Sequence, residues 1–246
     1  MTRNHNRFIG SLGLVCVMSA SLTAQKPTPA PIPGKGKAFF FFNATSETGE
    51  PAVAGAPYSG DVTTRVDMLM FDGTRMTQTV TAKVYRDSVG RIRREQAVIG
   101  MEALDPNPSV SSVVQIVDPV AHVMYTLNPG SKTALQRPID GPPVQVTKFR
   151  VEGPPTTHDL GTKTIEGLTA TGRRIVTTIA TGQVGNDRPI EIIDETWMST
   201  ELKVALQTLH RDPRTGDVEY TLTKVSRQEP DPGLFKVPAG YSIKRY

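Results

Sequence analysis

An alternation of apolar and polar residues begins at Tyr58, and it limits the fold of this chain more than any other feature. Val62, Val66, Met68 and Met70 alternate with threonine, arginine and aspartate side chains. A period of two places the apolar residues on one face of a β-strand, whereas an amphipathic helix needs a period of about 3.6. The pattern therefore predicts a half-buried strand that is apolar on one face and polar on the other.

Turn sequences divide the rest of the chain into more strands of this kind. After the turn at residues 71–74, the apolar residues at 76, 80, 82 and 84 resume the alternation and complete a hairpin. Further strands are predicted at residues 91–99, 113–117, 122–127, 168–180, 189–199, 203–211 and 217–227. Residues 138–157 are rich in proline and predict an irregular crossing with a short strand at 144–149. The best short-helix candidate is Asp231 to Phe235, so the chain is expected to be nearly all β.

The first residues are typical of an exported protein. A short positive segment, Arg3 to Arg7, precedes an apolar run at residues 8–22 that is too short to span a bilayer comfortably. Small residues leading to Ala24 provide a cleavage site. We expect residues 1–24 to be a signal peptide cleaved after Ala24, which leaves a periplasmic or secreted chain that does not span the membrane. An uncleaved anchor helix is the alternative.

Residues 25–57 are expected to be a spacer and loop ahead of a single domain at 58–246. The segment 25–37 is dense in proline, glycine and lysine and cannot form a strand ladder. Phe39 to Phe42 follow it, and four exposed phenylalanines would favour aggregation. They are expected to pack on the body as a first strand or docking segment, with a plug facing a membrane or a partner as the alternative.

The cysteine count and the net charge exclude several classes of function. Cys16 is the only cysteine and lies in the signal segment, so the mature chain has no disulfide and no cysteine ligand or nucleophile. Removal of residues 1–24 lowers the formal net charge from +4 to +2, because two arginines are lost. A charge this small indicates no nucleic-acid partner.

No motif in the sequence predicts catalytic residues, metal ligands or a cofactor. His122, His158 and His210 lack metal-ligand spacing, and the sequences HExxH, GxSxG and SxxK are absent. A metal cluster of His158, Asp159 and His210 is the less favoured alternative to solvated histidines. The segment 212–217 is interpreted as a hairpin turn rather than a calcium loop. A hydrolase of unknown type is the least favoured function.

The glycines between residues 158 and 174 are interpreted as turn and bend devices. Gly161 and Gly167 bracket a tight turn, because glycine adopts positive φ without a steric penalty. Gly172 lies within a strand and predicts a bend or bulge that curls the sheet. Trp197 offers the largest apolar surface in the mature chain.

Several short motifs carry a family resemblance. They are Leu160-Gly161, Ile165-x-Gly167, Ala170-x-Gly172-x-Arg174, Glu195-x-Trp197-x-Ser199 and Leu234-Phe235-x-Val-Pro238-x-Gly-Tyr241. They resemble the periplasmic lipoprotein-carrier and outer-membrane lipoprotein-receptor superfamily, in its uncharacterised exported bacterial branch, over roughly Tyr58 to Tyr246. The resemblance implies a mainly β fold: a curved antiparallel sheet that forms an open half-barrel with little helix.

The expected function is non-enzymatic binding of an apolar ligand, such as a lipid or acyl chain, on the concave face of this sheet. The expected lining residues are Val66, Met68, Val80, Val84, Met124 and Trp197. The methionines would make an adaptable pocket, or they would simply fill the core.

A regulatory or structural interaction module of the cell envelope is the main alternative, with an envelope protein as partner. It would use the sheet edges or a basic cluster. This cluster, Arg86, Arg91, Arg93 and Arg94, would contact anionic head groups or an acidic partner, or else form a solvated hairpin with Asp87 and Glu95.

Overall fold

The computed structural model describes residues 53–70, 72–97, 112–139 and 155–245, which lie within one compact unit, Phe42–Tyr246. The signal peptide, the proline-rich spacer, the phenylalanine run and the predicted strand at 144–149 lie outside the described residues. The described strands are β1 (Tyr58–Leu69), β2 (Arg75–Arg86), β3 (Ile92–Ala97), β4 (Ser112–Asp118), β5 (Val123–Asn128), β6 (Thr133–Pro138), β7 (Thr156–Ile165), β8 (Leu168–Ile179), β9 (Ile190–Ser199), β10 (Ala205–Asp212), β11 (Gly216–Ser226) and β12 (Ser242–Arg245).

These strands form one 12-stranded sheet in the order β12-β6-β5-β4-β3-β2-β1-β11-β10-β9-β8-β7. Strands β1 to β6 and strands β7 to β11 are two antiparallel meanders, and β1 pairs with β11 to join them. Strand β12 returns to pair with β6 in parallel. The sheet is curved and open rather than closed into a barrel, so the predicted fold class is confirmed.

The alternation in sequence appears directly as alternating burial. In β1, Val62, Thr64 and Val66 are buried while their neighbours are exposed or half-buried, and β2 repeats the pattern. Register partners on adjacent antiparallel strands project to the same face. Val62 is the partner of Ala82, so the buried sets of the two strands share one face. We name it the valine face, after Val62, Val66, Val80 and Val84.

The first core cluster lies mainly on the valine face of the sheet centre. Its members on β1, β2 and β11 are Tyr58, Val62, Ala82, Val84, Tyr220 and Leu222. Leu202 and Val204, from the turn between β9 and β10, complete it together with residues of β8 and β10. At the sheet centre the valine face is therefore filled by the chain's own side chains.

The second core cluster lies on the opposite face, at the β3–β6 end of the sheet. Val114, Ile116, Leu127 and Ala134 pack there against Phe235. Phe235 ends a single 3-10 turn, Pro232–Phe235, which confirms the predicted short helix at this position. The Asp231 side chain caps the turn by accepting a 2.7 Å hydrogen bond from the Gly233 amide.

Strands β6, β7 and β12 have no counterpart among the predicted strands. Strand β7 is exposed along most of its length, so it carries no burial alternation. The Glu166–Gly167 turn that joins it to β8 has positive φ at both residues, as a two-residue hairpin turn requires. The sequence predicts a bend or bulge at Gly172. The structure has a register shift in β7 instead, between Asp159 and Gly161, and Gly161 is the register partner of Gly172.

Candidate functional site

Four of the six expected lining residues share the valine face at the centre of the sheet. Val66 and Val80 are buried, Met68 is half-buried, and Val84 has an exposed fraction of 0%. Val84 belongs to the first core cluster. At this position the valine face is occupied by the protein's own core side chains.

Met124 lies on the same face, three strands away from Val84. Met124 is the register partner of Val117. Val117 pairs with Ile92, and Ile92 pairs with Arg86, which lies on the valine face. Trp197 does not share this face. Its partner Gln207 pairs with Thr221, and Thr221 pairs with Thr63, which points away from the valine face. By register Trp197 therefore lies on the other face, although it packs against the first core cluster, to which Val84 belongs.

The β4–β6 end of the valine face carries a half-buried apolar strip around Met124. Its apolar members are Val113 and Val117 on β4, Met124 on β5 and Leu135 on β6, and they share the face with Gln115, Thr126 and Arg137. None of these residues belongs to either core cluster, because the second cluster lies on the opposite face of the same strands. We name this set of four apolar residues the apolar strip. Val113, Val117 and Leu135 are not among the expected lining residues. The sequence signal for the two valines is that residues 113–117 are apolar on both faces.

Arg86 of the basic cluster is a buried structural residue. Its Nε and Nη2 donate hydrogen bonds of 3.0 and 2.8 Å to the Ala56 carbonyl oxygen, and Nη2 also donates to the Leu202 carbonyl. The guanidinium lies 4.7 Å from the ring centroid of Tyr58. Arg86 thus ties the chain before β1 and the β9–β10 turn to β2.

Arg91 and Arg93 are also engaged within the protein. Arg91 Nε donates a 2.6 Å hydrogen bond to Asp87, which is almost fully buried, and its guanidinium lies over the Phe235 ring. Arg93 pairs with Glu95 and donates a 2.9 Å hydrogen bond to the Leu234 carbonyl oxygen. Both arginines hold the β2–β3 hairpin against the C-terminal segment.

Arg94 lies on the valine face, as Arg86 does, and it is next to the apolar strip. It is the register partner of Val84 on one side and of Gln115 on the other. Its side chain is buried, with 7% exposed, and its Nε donates a 3.2 Å hydrogen bond to Gln96. Its Nη1 atom is buried without a hydrogen-bond partner in the structure.

An open cavity of about 480 Å³ lies near the join of the two meanders, and it is lined mainly by polar residues of the opposite face. Asp61 there forms ion pairs with Lys83 and Lys224, at 3.7 and 2.8 Å. The hydrogen bond from Lys224 lowers the pKa of Asp61 below its ordinary value. The cavity contains none of the expected lining residues, and its paired charges do not suit an apolar ligand.

The histidines lie apart from any metal-ligand group among the residues that the structure describes. No set of three or more histidine, cysteine or carboxylate side chains converges there. His210 Nδ1 lies 2.7 Å from Asp194, its register partner on β9, and His158 lies on edge strand β7. Within the same described part, no helix has the length and apolar character needed to cross a membrane.

No family model and no curated protein matches the chain. Among solved structures, it is similar to an uncharacterized conserved protein from Thermus thermophilus, at 12% identity and a TM-score of 0.43, covering 78% of this chain and 91% of that protein. It is similar to MucB from Pseudomonas aeruginosa in complex with MucA, at 12% identity and a TM-score of 0.38, covering 74% of this chain and 56% of MucB. A LolA superfamily protein from Nitrosomonas europaea is 5% identical with a TM-score of 0.34, covering 78% and 94%.

The chain thus spans less than two thirds of the MucB structures it matches. The superfamily that the sequence motifs resemble is represented among these neighbours. The identities are low, so the likeness concerns the fold alone.

Proposed function

We propose that this is an exported envelope protein that binds an apolar ligand, such as a lipid or acyl chain, without catalysing a reaction on it. The observation that carries the proposal is the apolar strip, Val113, Val117, Met124 and Leu135. These side chains are half-buried on a face where neither core cluster covers them. Burial of ligand surface there would be favourable by about 25 cal/mol per Å² of apolar area.

The proposed binding site lies farther along the sheet than the site that the sequence predicts. Val84 belongs to the first core cluster on the valine face, whereas Met124 is half-buried and lies outside both clusters. A ligand on the apolar strip would extend the first core cluster toward β6. Methionine suits such a surface because its unbranched side chain adapts to ligands of different shape.

The double variant Val117→Thr/Met124→Gln tests the apolar strip. Both changes nearly preserve side-chain size but add polar atoms, so we expect delipidated protein to lose at least tenfold in affinity for a fluorescent phospholipid. Titration followed by fluorescence measures the dissociation constant. The matched control is Val120→Thr/Met70→Gln, because these two residues are exposed and lie outside the strip.

Equal affinity in the test and control variants would move the site away from the apolar strip. Absence of saturable binding to the delipidated wild-type protein would refute the proposed function itself. Mass spectrometry of molecules that co-purify with the protein from its native envelope provides an independent measurement of the ligand.

A protein partner at a sheet edge is the second candidate function. Among the described strands, edge strand β7 pairs only with β8 and is largely exposed, so its outer edge is a candidate for pairing with a strand from another protein. The variant Thr164→Pro would block strand addition at this edge. Retention of a stoichiometric partner by that variant in a pull-down would exclude β7 as the docking edge.

A further inference from the structure

Arg94 is a buried cation whose guanidinium is not fully paired. One hydrogen bond, from Nε to Gln96, is present, and Nη1 is buried without a partner in the structure. Arg91 and Arg93, by contrast, each bind a carboxylate. A buried charge with incomplete hydrogen bonding is unfavourable, so such a group is normally satisfied by a polar protein group, an ordered water, an ion or a ligand.

The charges on strands β1–β6 are distributed unequally between the two faces. Arg86, Arg94 and Arg137 lie on the valine face of these strands by register. Every carboxylate that the described strands β1–β6 carry lies on the opposite face. These carboxylates are Asp61, Asp67, Glu95 and Asp118. No acidic side chain of these strands can therefore neutralise Arg94 from its own face.

The apolar strip continues the face on which Arg94 lies. Val113 and Val117 flank Gln115, the register partner of Arg94, two positions away along β4 on either side. A guanidinium next to an apolar surface matches a molecule with an anionic head and an apolar tail. The planar guanidinium can bind a carboxylate or a phosphate through two parallel hydrogen bonds, and such charge-assisted bonds are the strong ones.

We propose that Arg94 binds the anionic head group, a carboxylate or phosphate, of an amphipathic ligand whose chain lies on the apolar strip. This inference rests on the proposed function, because it assigns the head-group end of that binding site. Binding would pair the buried charge of Arg94 at the same time as it buries the chain. The preference for an anionic head would then depend on Arg94, which is buried, rather than on Arg137, the exposed register partner of Met124.

Calorimetric titration of delipidated protein with dodecanoic acid, dodecyl phosphate and dodecanol tests the inference. We expect both anionic ligands to bind roughly ten- to a hundredfold more tightly than dodecanol, as a charge-assisted hydrogen-bonded pair provides. In Arg94→Gln the three affinities should become equal, with dodecanol binding unchanged. The control Lys83→Gln removes an exposed cation of the opposite face and should keep the preference.

A thermal melt of the ligand-free protein separates a ligand-binding arginine from a structural one. Arg94→Gln removes an unpaired buried charge, so its midpoint should equal or exceed that of the wild type. A clear fall in the midpoint would mean that Arg94 serves the fold, and it would overturn the inference. Arg94→Lys keeps the charge without the bidentate geometry, so it should show an intermediate preference.

The remaining outcomes separate the two proposals. Equal binding of dodecanol and the anionic ligands by the wild type would overturn the role of Arg94 and leave the apolar site intact. An anionic preference that survives in Arg94→Gln would also overturn the role of Arg94 and leave the apolar site intact. Inorganic phosphate that binds as tightly as dodecyl phosphate would indicate an anion site rather than an amphiphile site. Failure of all three ligands to bind would overturn both proposals.

Discussion

Gly172 has no room for a side chain, because the ring of Trp197 lies directly against it. A Cβ atom at this position would meet three ring carbons at 2.5 to 2.8 Å. Lys163 also contacts the tryptophan, because its Nζ lies 3.9 Å from the ring centroid and donates a 2.9 Å hydrogen bond to Gln207. The glycine is therefore needed for close approach of the tryptophan.

We expect Gly172→Ala to destabilise the protein by about 1–3 kcal/mol, because the added methyl group overpacks the site against Trp197. Urea denaturation measures the change in the free energy of unfolding. Thr171→Ala, at the exposed neighbouring position of the same strand, is the control and should change little. In a Trp197→Leu background the penalty should largely disappear, and an undiminished penalty would assign it to the backbone instead.

Asp212 holds the β10–β11 turn through its carboxylate. It accepts hydrogen bonds of 2.9 Å from the Arg214 amide and Nε and one of 2.6 Å from Nη2. Burial acts to raise the pKa of Asp212, but the hydrogen bonds from Arg214 outweigh it and hold the pKa below its ordinary value of 3.8. The contribution of this carboxylate to stability is therefore present above that value and is lost as the pH falls below it.

We expect Asp212→Asn to lower the free energy of unfolding by about 1–3 kcal/mol at neutral pH, because charge-assisted hydrogen bonds are lost. The difference from the wild type should shrink as the pH falls below about 3.8, where the wild-type carboxyl also becomes neutral. Urea denaturation at a series of pH values measures both effects, with Asp187→Asn, an exposed position, as control. A difference that is constant with pH would mean that ionisation of Asp212 plays no part.

At the scale of elements, the C-terminal segment covers one end of the sheet. Phe235 fills the second core cluster, and Leu234, Val237 and Tyr241 pack around it. Strand β12 then adds to β6, after the Ser242 amide donates a 2.9 Å hydrogen bond to the Lys132 carbonyl oxygen. The segment thereby closes the opposite face of β3–β6 and leaves their valine face as the side with the apolar strip.

We expect Phe235→Ala to destabilise the protein by about 3–5 kcal/mol, because it removes the central side chain of this cluster and leaves a cavity. Urea denaturation followed by circular dichroism measures the loss, and Val120→Ala, in an exposed turn, is the control. Fluorescence of Trp197 reports on the far end of the sheet. If the sheet unfolds as one unit, both signals should shift together, and a Trp197 transition left at its wild-type midpoint would show that the two ends unfold independently.

At the scale of the whole molecule, one sheet carries two cores on different faces. The first cluster lies mainly on the valine face at the centre, and the second lies on the opposite face at the β3–β6 end. Strand β4 shows the consequence, because Val114 and Ile116 are buried in the second cluster while Val113 and Val117 remain half-buried on the valine face. Because of this change of face, the half-buried apolar strip lies outside both core clusters.

Much of the fold could be predicted from the two-residue alternation and the turn residues. Less of the site could be predicted in this way. The hairpin of β1 and β2 follows from strict alternation, and the 3-10 turn follows from its proline and its aspartate cap. Strand β7 escaped prediction because it is exposed, and β12 because it pairs in parallel with a distant strand. Met124 could be proposed as a lining residue, but Val117 could not be distinguished from an ordinary core valine.

The sequence by itself determined that the chain makes a nearly all-β sheet of hairpins, because side-chain periodicity and turn residues act over a few neighbouring positions. Only the tertiary structure decided which face each strand buries and what covers it. That outcome depends on partners far apart in the chain. Arg86 donates a hydrogen bond to the Leu202 carbonyl oxygen, and the Arg91 guanidinium lies over the Phe235 ring. Arg94 stands beside those arginines in sequence, and its register on β3 places it next to the apolar strip.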